Sequence, residues 1–409
     1  MYNRPSISFR IDKSSGLNRG LNVAWFKKSH NRVGLSAQRL EELQIRLSAK
    51  LGDFGGGLPD RVLRYLIDDE DDSVLSDLAA KQDAAHALGL NCAYPGFSGV
   101  HRQGADWSEF LETIEPVEPR FYLRLGKVFE AAARTLPADR FFCQPWFDGA
   151  LWLELLLQEA TRIIPGVYSS AERKTAISGA LVESLLAAEG RSVEPFVTSP
   201  FRAPPAKYHW DQNRMRMMVL SVANIGETFA KHRDLLAPFL TEGSAESRLM
   251  AVENLARGKT SAEPFVLELV ACATCTSKQV RELAESMLKA IPQLAQPHLE
   301  QRALTGDRSS REHAVRILGR LCRDSAAEFL ESLAANETSK PIQEAIANAL
   351  AEVQPAAGDR EEFSLVPPPR DPRPLRPPIT PALRTIVEQL IAEYNAFAEE
   401  HNQRLKQAQ

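Results

Sequence analysis

The feature that most constrains this chain is a helical pattern that recurs through its second half. Counted from Arg311, Ala314 follows after three residues and Leu318 after seven. Both offsets return to one face of an α-helix, where the small residue lets a neighbour approach and the larger one fills the remaining space. The pattern begins at five anchor residues, spaced by 32, 33, 30 and 32 positions: Arg216, Arg248, Arg281, Arg311 and Gln343. The copy at Arg216 is the weakest, because Val219 and Ala223 occupy its two positions.

A second apolar helix is predicted after each of the first four anchor helices, at 235–240, 262–273, 293–304 and 325–335. One helix pair in every ~30–33 residues is a unit that can bury its apolar face only against the next copy. Stacked copies predict an all-α protein, namely an α-solenoid of helix pairs with a more irregular helical region before it. An ordinary helical bundle with coincidental spacing is the alternative.

The strings VRELAESMLKAI, SREHAVRILGRL and IQEAIANALAEV resemble bacterial HEAT repeats of the armadillo type. The resemblance covers about 216–353 and implies an architecture rather than an activity. The order of helical repeats, proline-rich segment and final helix is also similar to the N-terminal part of large bacterial proteins grouped with the molybdate metabolism regulator. That second resemblance implies no catalytic residue.

Five segments are predicted along the chain. Residues 1–58 are expected to be irregular, and 59–210 to be an irregular helical region that packs on or caps the repeats. The HEAT-like repeats occupy 211–353, and 354–380 is a proline-rich linker of extended polyproline II type. Residues 381–409 are predicted to form an amphipathic helix, because apolar side chains recur at helical spacing between Leu383 and Phe397.

Composition places the chain among ordinary globular proteins. Apolar residues make up 44% of it, charged residues 25%, and the net charge of −4 gives no general attraction to nucleic acid or anionic membrane. No signal peptide is apparent, and no apolar run approaches the roughly 18 residues of a membrane span. The five cysteines follow no disulfide framework, so a cytoplasmic, reducing location is expected.

Several fragments resemble catalytic or metal motifs without their context. HRDL at 232–235 and DFG at 53–55 are in the wrong order for a kinase. The Gly-rich stretch 52–57 lacks the Lys-Ser/Thr of a phosphate loop, and the acidic run 68–72 lacks the glycine and glutamate of an EF-hand, so both are interpreted as turns. The CxxC at 272–275 has no second pair to complete a zinc site, so two buried thiols are favoured. We predict no cofactor, metal or catalytic residue.

The second helices are predicted to form a concave, acidic surface. Over 261–273, 292–304 and 324–337 there is one base, Arg302, against seven acids: Glu263, Glu268, Glu300, Asp324, Glu328, Glu331 and Glu337. Such a surface repels phosphate, which argues against nucleic acid and against the HEAT-like glycosylases that act on alkylated DNA bases. The expected function is therefore a scaffold that binds a partner protein with basic or mixed-charge helices or tails.

Two alternatives stay open at this point. His209 and Trp210 form a polar-aromatic cluster that we predict as a contact point for the partner. Together with Trp146 and Trp152, they could instead line the pocket of an enzyme, such as a glycosylase or a chromophore lyase. The terminal amphipathic helix suggests a further alternative, a regulatory N-terminal arm of a larger bacterial protein. Neither the oligomeric state nor the partner follows from the sequence.

Overall fold

The computed structural model is helical through the residues that it describes, which confirms the predicted all-α class. It describes residues 34–93, 105–114, 117–137, 146–163, 175, 177–202, 209–353, 389, 391–393 and 395. Within these ranges there is no β-strand, and the only extended pairing is an isolated parallel bridge between Ser178 and Ala223. The side chains of residues 105, 106, 209–212 and 353 lie outside the described set.

The helices of the N-terminal half are α1 Ala37–Leu51, α2 Leu58–Asp68, α3 Ser73–Ala79, α4 Ala84–Ala87, α5 Ala105–Thr113, α6 Pro119–Ala133, α7 Leu151–Thr161, α8 Gly179–Ala188 and α9 Glu194–Thr198. Those that follow are α10 His209–Leu220, α11 Ile225–Lys231, α12 Arg233–Thr241, α13 Ala245–Arg257, α14 Val266–Ala273, α15 Lys278–Leu288, α16 Pro292–Thr305, α17 Arg308–Ile317, α18 Ala327–Asn336 and α19 Lys340–Val353. A π-helical turn, Leu318–Cys322, extends α17.

Helix α1 corrects the expectation that residues 1–58 are irregular. Its leucines recur every three or four residues, and Leu43, Leu47 and Leu51 are fully buried. Ser36 caps the helix by accepting a hydrogen bond from the backbone N–H of Arg39, at 3.4 Å. A turn of three glycines, 55–57, all with positive φ, then leads into α2. The Gly-rich stretch is thus a turn, as predicted.

The acidic run 68–72 forms a turn, as predicted, and an arginine clamps it in place. The Arg61 guanidinium on α2 donates to the carboxylate of Asp71 at 2.6 Å and to that of Asp77 on α3. The hydrogen bonds from Arg61 and Ser73 hold the pKa of the Asp71 carboxyl below its usual range. One arginine therefore fixes the turn between two short helices.

The N-terminal helices surround an aromatic core and one buried carboxyl group. The rings of Trp107 and Phe129 meet edge to face at 5.0 Å between centroids. Glu159 on α7 has no solvent exposure and accepts two hydrogen bonds of 2.7 Å from Asn91, one from the backbone N–H and one from the side-chain amide. Burial raises the pKa of Glu159 to about 8, and the two hydrogen bonds from Asn91 act in the opposite direction.

The helices from α12 onward are arranged in two layers. The anchor helices are α13, α15, α17 and α19, and the second helices are α12, α14, α16 and α18. Each second helix packs against the anchor helix that follows it in the chain. Within the layers, α12 packs on α14 and α14 on α16, while α13 packs on α15 and α17 on α19. The helices predicted at the repeat positions are therefore present, and neighbouring units contact each other.

The two repeat positions are buried in three of the five copies, and in the Gln343 copy Ile346 is buried whereas Leu350 is only half-buried. The small residues three positions after the anchor, Ala251, Ala284 and Ala314, have no solvent exposure. The leucines seven positions after the anchor, Leu255, Leu288 and Leu318, are equally buried. In the weaker copy, Val219 is buried and Ala223 is only half-buried.

The anchor side chains have a structural role that the spacing alone did not reveal. In three copies the anchor side chain donates to backbone carbonyls in the last turn of the preceding second helix or just after its end. The bonds are Arg281 to Cys275 (2.9 Å) and Thr276 (2.7 Å), Arg311 to Ala303 (2.7 Å), and Gln343 to Glu337 (2.7 Å). Arg311 thus caps the last turn of α16, where carbonyls have no partner within the helix, and Arg281 and Gln343 fix the loops that follow α14 and α18.

These helices all belong to one compact unit, Met1–Gln354. In the second unit, Pro355–Gln409, the described residues 389, 391–393 and 395 are helical, and Ile391 is exposed. The predicted linker at 354–380 lies outside the described residues, as does most of the predicted final helix.

Candidate functional site

The candidate site is the outward side of the second helices, which we call the second-helix face. On α16, Ala295, Leu299 and Ala303 are buried against the rest of the protein. The opposite stripe of α16 carries Leu294 and Leu304, which are 45% and 53% exposed. Helix α16 is therefore apolar on both sides, although only one side is covered.

Helix α14 adds a third leucine to this face. Leu267 is 54% exposed, whereas Leu269 and Cys272 on the same helix are fully buried. Because α14 and α16 pack side by side, the exposed leucines lie on adjacent helices of one layer. Five large apolar side chains are exposed in the described part of the chain, and three of them are on these two helices.

Four of the predicted acids are exposed on or next to the second helices. Glu263 lies in the short 3-10 helix Glu263–Phe265 that leads into α14. Asp324, Glu328 and Glu331 lie before or on α18, opposite the buried Leu330 and Leu333. Helix α18 therefore presents a carboxylate stripe, while α14 and α16 present leucines.

The other predicted acids are engaged within the protein. Glu268 is buried and forms an ion pair with Arg233 of the preceding second helix, so its carboxylate is not available to a partner. Glu300 is half-buried and accepts a hydrogen bond of 2.7 Å from Gln296. Glu337 is paired with Arg311 and accepts hydrogen bonds from the backbone N–H groups of Thr338 and Ser339, just before α19. The hydrogen bond from Ser339 is the largest cause that lowers the pKa of Glu337.

The three exposed leucines were not predicted, because the second helices were expected to be uniformly apolar. A signal was present: Leu294, Leu299 and Leu304 are spaced by five residues, which carries them around the helix instead of along one face. Such a helix has more apolar surface than one packed layer can cover.

Of the four residues suggested for an enzyme pocket, the structure describes the side chains of two, Trp146 and Trp152. Both are buried, with indole nitrogens that have no hydrogen-bond partner in the described part of the chain. His209 and Trp210 begin α10, but their side chains lie outside the described residues, so the predicted contact point stays a prediction.

The thiols of the CxxC occupy different surroundings. Cys272 is buried and donates to the carbonyl of Leu240 at 3.1 Å, and burial raises the pKa of its thiol to about 12. Cys275 is half-buried, so only one of the two predicted buried thiols is fully so. Within the described ranges, no three His, Cys, Asp or Glu side chains are grouped so as to hold a metal ion.

No helix among the described residues is both long and apolar enough to cross a membrane. Comparison with known proteins adds no relative: no protein-family profile matches the chain, and no curated protein sequence does. The second-helix face therefore has to be interpreted from its own chemistry.

Proposed function

We propose that the repeats form a HEAT-like solenoid that binds a partner protein through the second-helix face. The occupant is a segment with apolar side chains flanked by lysine or arginine. The observation that carries this proposal is the pairing of exposed leucines on α14 and α16 with exposed carboxylates on and before neighbouring helices. We expect the protein to act as a cytoplasmic scaffold or interaction module.

The apolar part of the face supports binding to protein. Three leucines about half exposed on adjacent helices leave apolar area in contact with water, and covering it lowers the free energy of association. Protein interfaces commonly combine a central apolar region with a polar rim. Leu267, Leu294 and Leu304 supply the first, and Glu263, Glu328 and Glu331 supply the second.

The charge of the rim selects the class of partner. Exposed carboxylates at Asp324, Glu328 and Glu331 attract basic side chains and repel phosphate backbones. Since these acids are exposed, their attraction should weaken as salt is raised, while the contribution of the leucines should persist. The expected partner segment is thus amphipathic and basic.

The test is an affinity pull-down from native lysate with the intact chain and three variants. L267D/L294D removes the apolar centre, E328K/E331K reverses the rim, and I45D is the matched control, because Ile45 is 61% exposed but lies on α1. Retained proteins are quantified by mass spectrometry. We expect L267D/L294D to reduce retention of the partner by about tenfold or more, E328K/E331K to reduce it several-fold, and I45D to leave it unchanged.

A partner retained equally by the intact chain and by L267D/L294D would contradict binding at this face. A further chain ending at Val353 separates the repeats from the C-terminal segments. A protein lost only with that chain binds through residues 354–409, as the alternative of a regulatory arm requires. Circular dichroism of each variant controls for folding, which exposed substitutions should not disturb.

A further inference from the structure

A charged cleft opens between the anchor helices α15 and α17, away from the second-helix face. Its volume is about 360 Å³, and its floor includes the apolar Ala273 and Ile317. One stripe of α15 and one stripe of α17 form the walls, because the lining positions recur every three or four residues on both helices. The charged or ionisable side chains that line it are Lys278, Arg281, Glu282, Glu285, Lys289, His313, Arg316 and Arg320.

Positive charge predominates in this cleft. Lys278 lies 3.7 Å from Glu282, and Arg320 reaches across to Glu285 at 2.7 Å. Arg316 pairs at 2.5 Å with Glu312, outside the lining. Lys289 and Arg281 pair with no carboxylate in the described part of the chain. With Glu312 counted, five cations face three carboxylates, a formal excess of two positive charges.

One side chain in the cleft, Arg281, is held in place with free hydrogen-bond donors, and His313 lies beside it. Nη1 of Arg281 is fixed by the carbonyls of Cys275 and Thr276, which leaves its Nε and Nη2 without a hydrogen bond to the described protein. His313 has a buried Nδ1 with no hydrogen-bond partner there. Burial lowers the pKa of His313, the nearby Arg281 and Arg316 lower it further, and Glu312 and the Thr274 backbone act in the opposite direction. An anion in the cleft could accept from Nε and Nη2 of Arg281, while the His313 ring lines the same cleft and reports on its occupancy.

We propose that this cleft binds a phosphoryl group. A phosphoryl dianion carries about −1.5 to −2 charges at neutral pH, which matches the excess of positive charge. Guanidinium groups bind phosphate through paired N–H donors, and Arg281 and Arg316 present them from opposite walls. A carboxylate would neutralise only half of the excess.

A nucleic-acid strand fits these observations less well. The lining cations extend from Lys278 to Lys289, which is about 16 Å along α15 at 1.5 Å per residue. Nucleic-acid sites generally neutralise phosphates along a longer basic track. The second helices carry acids instead, so the cleft favours a single phosphoryl group on a small molecule or on a side chain of another protein.

The test is titration of the intact protein with inorganic phosphate at low ionic strength, followed by NMR of the His313 ring and by calorimetry. We expect a dissociation constant of about 1 mM or tighter, with changes in the His313 resonances. The variant K278E/R316E should weaken binding about tenfold or more, because it replaces two cations with two acids. K289Q should weaken it several-fold, because it removes an exposed cation of the cleft that pairs with no carboxylate in the described part of the chain.

The matched control is R308E, because Arg308 is an exposed cation on α17 that does not line the cleft. We expect R308E to bind phosphate as the unmodified protein does. Equal weakening by R308E, or binding unaffected by K278E/R316E, would refute the site. Thermal melts of each variant show whether it is folded, and K289Q provides a second test if the double variant is not.

Two further ligands identify the source of the phosphoryl group. The first is a short phosphoserine peptide, compared with the same peptide without phosphate. If only the phosphorylated peptide binds, and more tightly than inorganic phosphate, the site is assigned to a phosphorylated protein. Equal affinity for the phosphopeptide and inorganic phosphate would assign it to a small phosphorylated molecule. A single-stranded oligonucleotide that binds more tightly than either, through the same residues, would overturn the proposal in favour of nucleic acid.

Discussion

Replacement of Glu159 with glutamine should change how the stability of this protein depends on pH. The carboxyl is fully buried against Asn91, and its pKa is raised to about 8 from the ordinary 4.5. Between these two values the folded protein holds a proton that the unfolded chain releases. The contribution of Glu159 to the free energy of unfolding should therefore be greatest below about pH 4.5 and should fall as the pH rises to 8.

The magnitude follows from proton linkage. One proton bound by the folded state but not by the unfolded state changes the free energy of unfolding by about 1.4 kcal/mol per pH unit. Between pH 5 and pH 8 the loss from Glu159 is therefore roughly 4 kcal/mol. Glutamine is neutral throughout and can reproduce the neutral carboxyl: Oε1 accepts from the Asn91 backbone N–H, and Nε2 donates to the Asn91 side chain once that amide is rotated.

The assay is urea unfolding of the intact chain and of E159Q at pH 5, 6.5 and 8, followed by circular dichroism. We expect the two proteins to be about equally stable at pH 5 and E159Q to be the more stable at pH 8. The exposed E328Q is the control, and its difference from the unmodified protein should stay near zero. If E159Q is equally destabilised at every pH, Glu159 is ionised in the folded protein and the reasoning is wrong.

Two other predictions concern packing and thiol reactivity. A Cβ at Gly319 would lie 2.7 Å from the Cβ of Ala349 and 2.8 Å from its Cα. The variant G319A should therefore lower the free energy of unfolding, measured in urea, by about 1–3 kcal/mol. No loss of stability would mean that α17 and α19 are less closely packed than the structure shows. Burial raises the pKa of the Cys272 thiol to about 12 and that of Cys322 to about 11, so iodoacetamide at pH 8 should leave both unmodified in the folded protein and alkylate both in urea. Peptide mass spectrometry measures this, and modification without urea would show that these sites open readily.

The repeat helices could be predicted from the sequence because their signal is local. The helix predicted at 293–304 is observed as Pro292–Thr305, and that at 235–240 as Arg233–Thr241. Helix α1 was missed, although Leu40, Leu43, Leu47 and Leu51 follow the same rule, because the glycines and polar residues around it dominated the interpretation.

The exposure of individual side chains could not be predicted, because it depends on residues distant in the chain. Glu268 looks like a surface acid until Arg233, 35 residues earlier, is brought against it. All seven acids were predicted to lie on one surface, but only four of them are exposed in the structure. The clamp around Arg61 and the pair of Glu159 with Asn91, 68 residues apart, are equally invisible in the local pattern.

The divergence of α15 and α17 has a consequence for how the repeats unfold. The layer of anchor helices is closely packed from α13 to α15 and again from α17 to α19, but it is interrupted by the cleft. Apolar contact across that interruption runs through α14 and α16 in the other layer. Where stability comes from contacts between neighbouring helix pairs, we expect a gap of this kind to divide the structure into two cooperative blocks. The coupling between the two blocks should be weaker than the coupling within each. A ligand that bridges the cleft would couple the two blocks. Its binding should therefore make the helix pairs unfold more cooperatively, in addition to stabilising its own site.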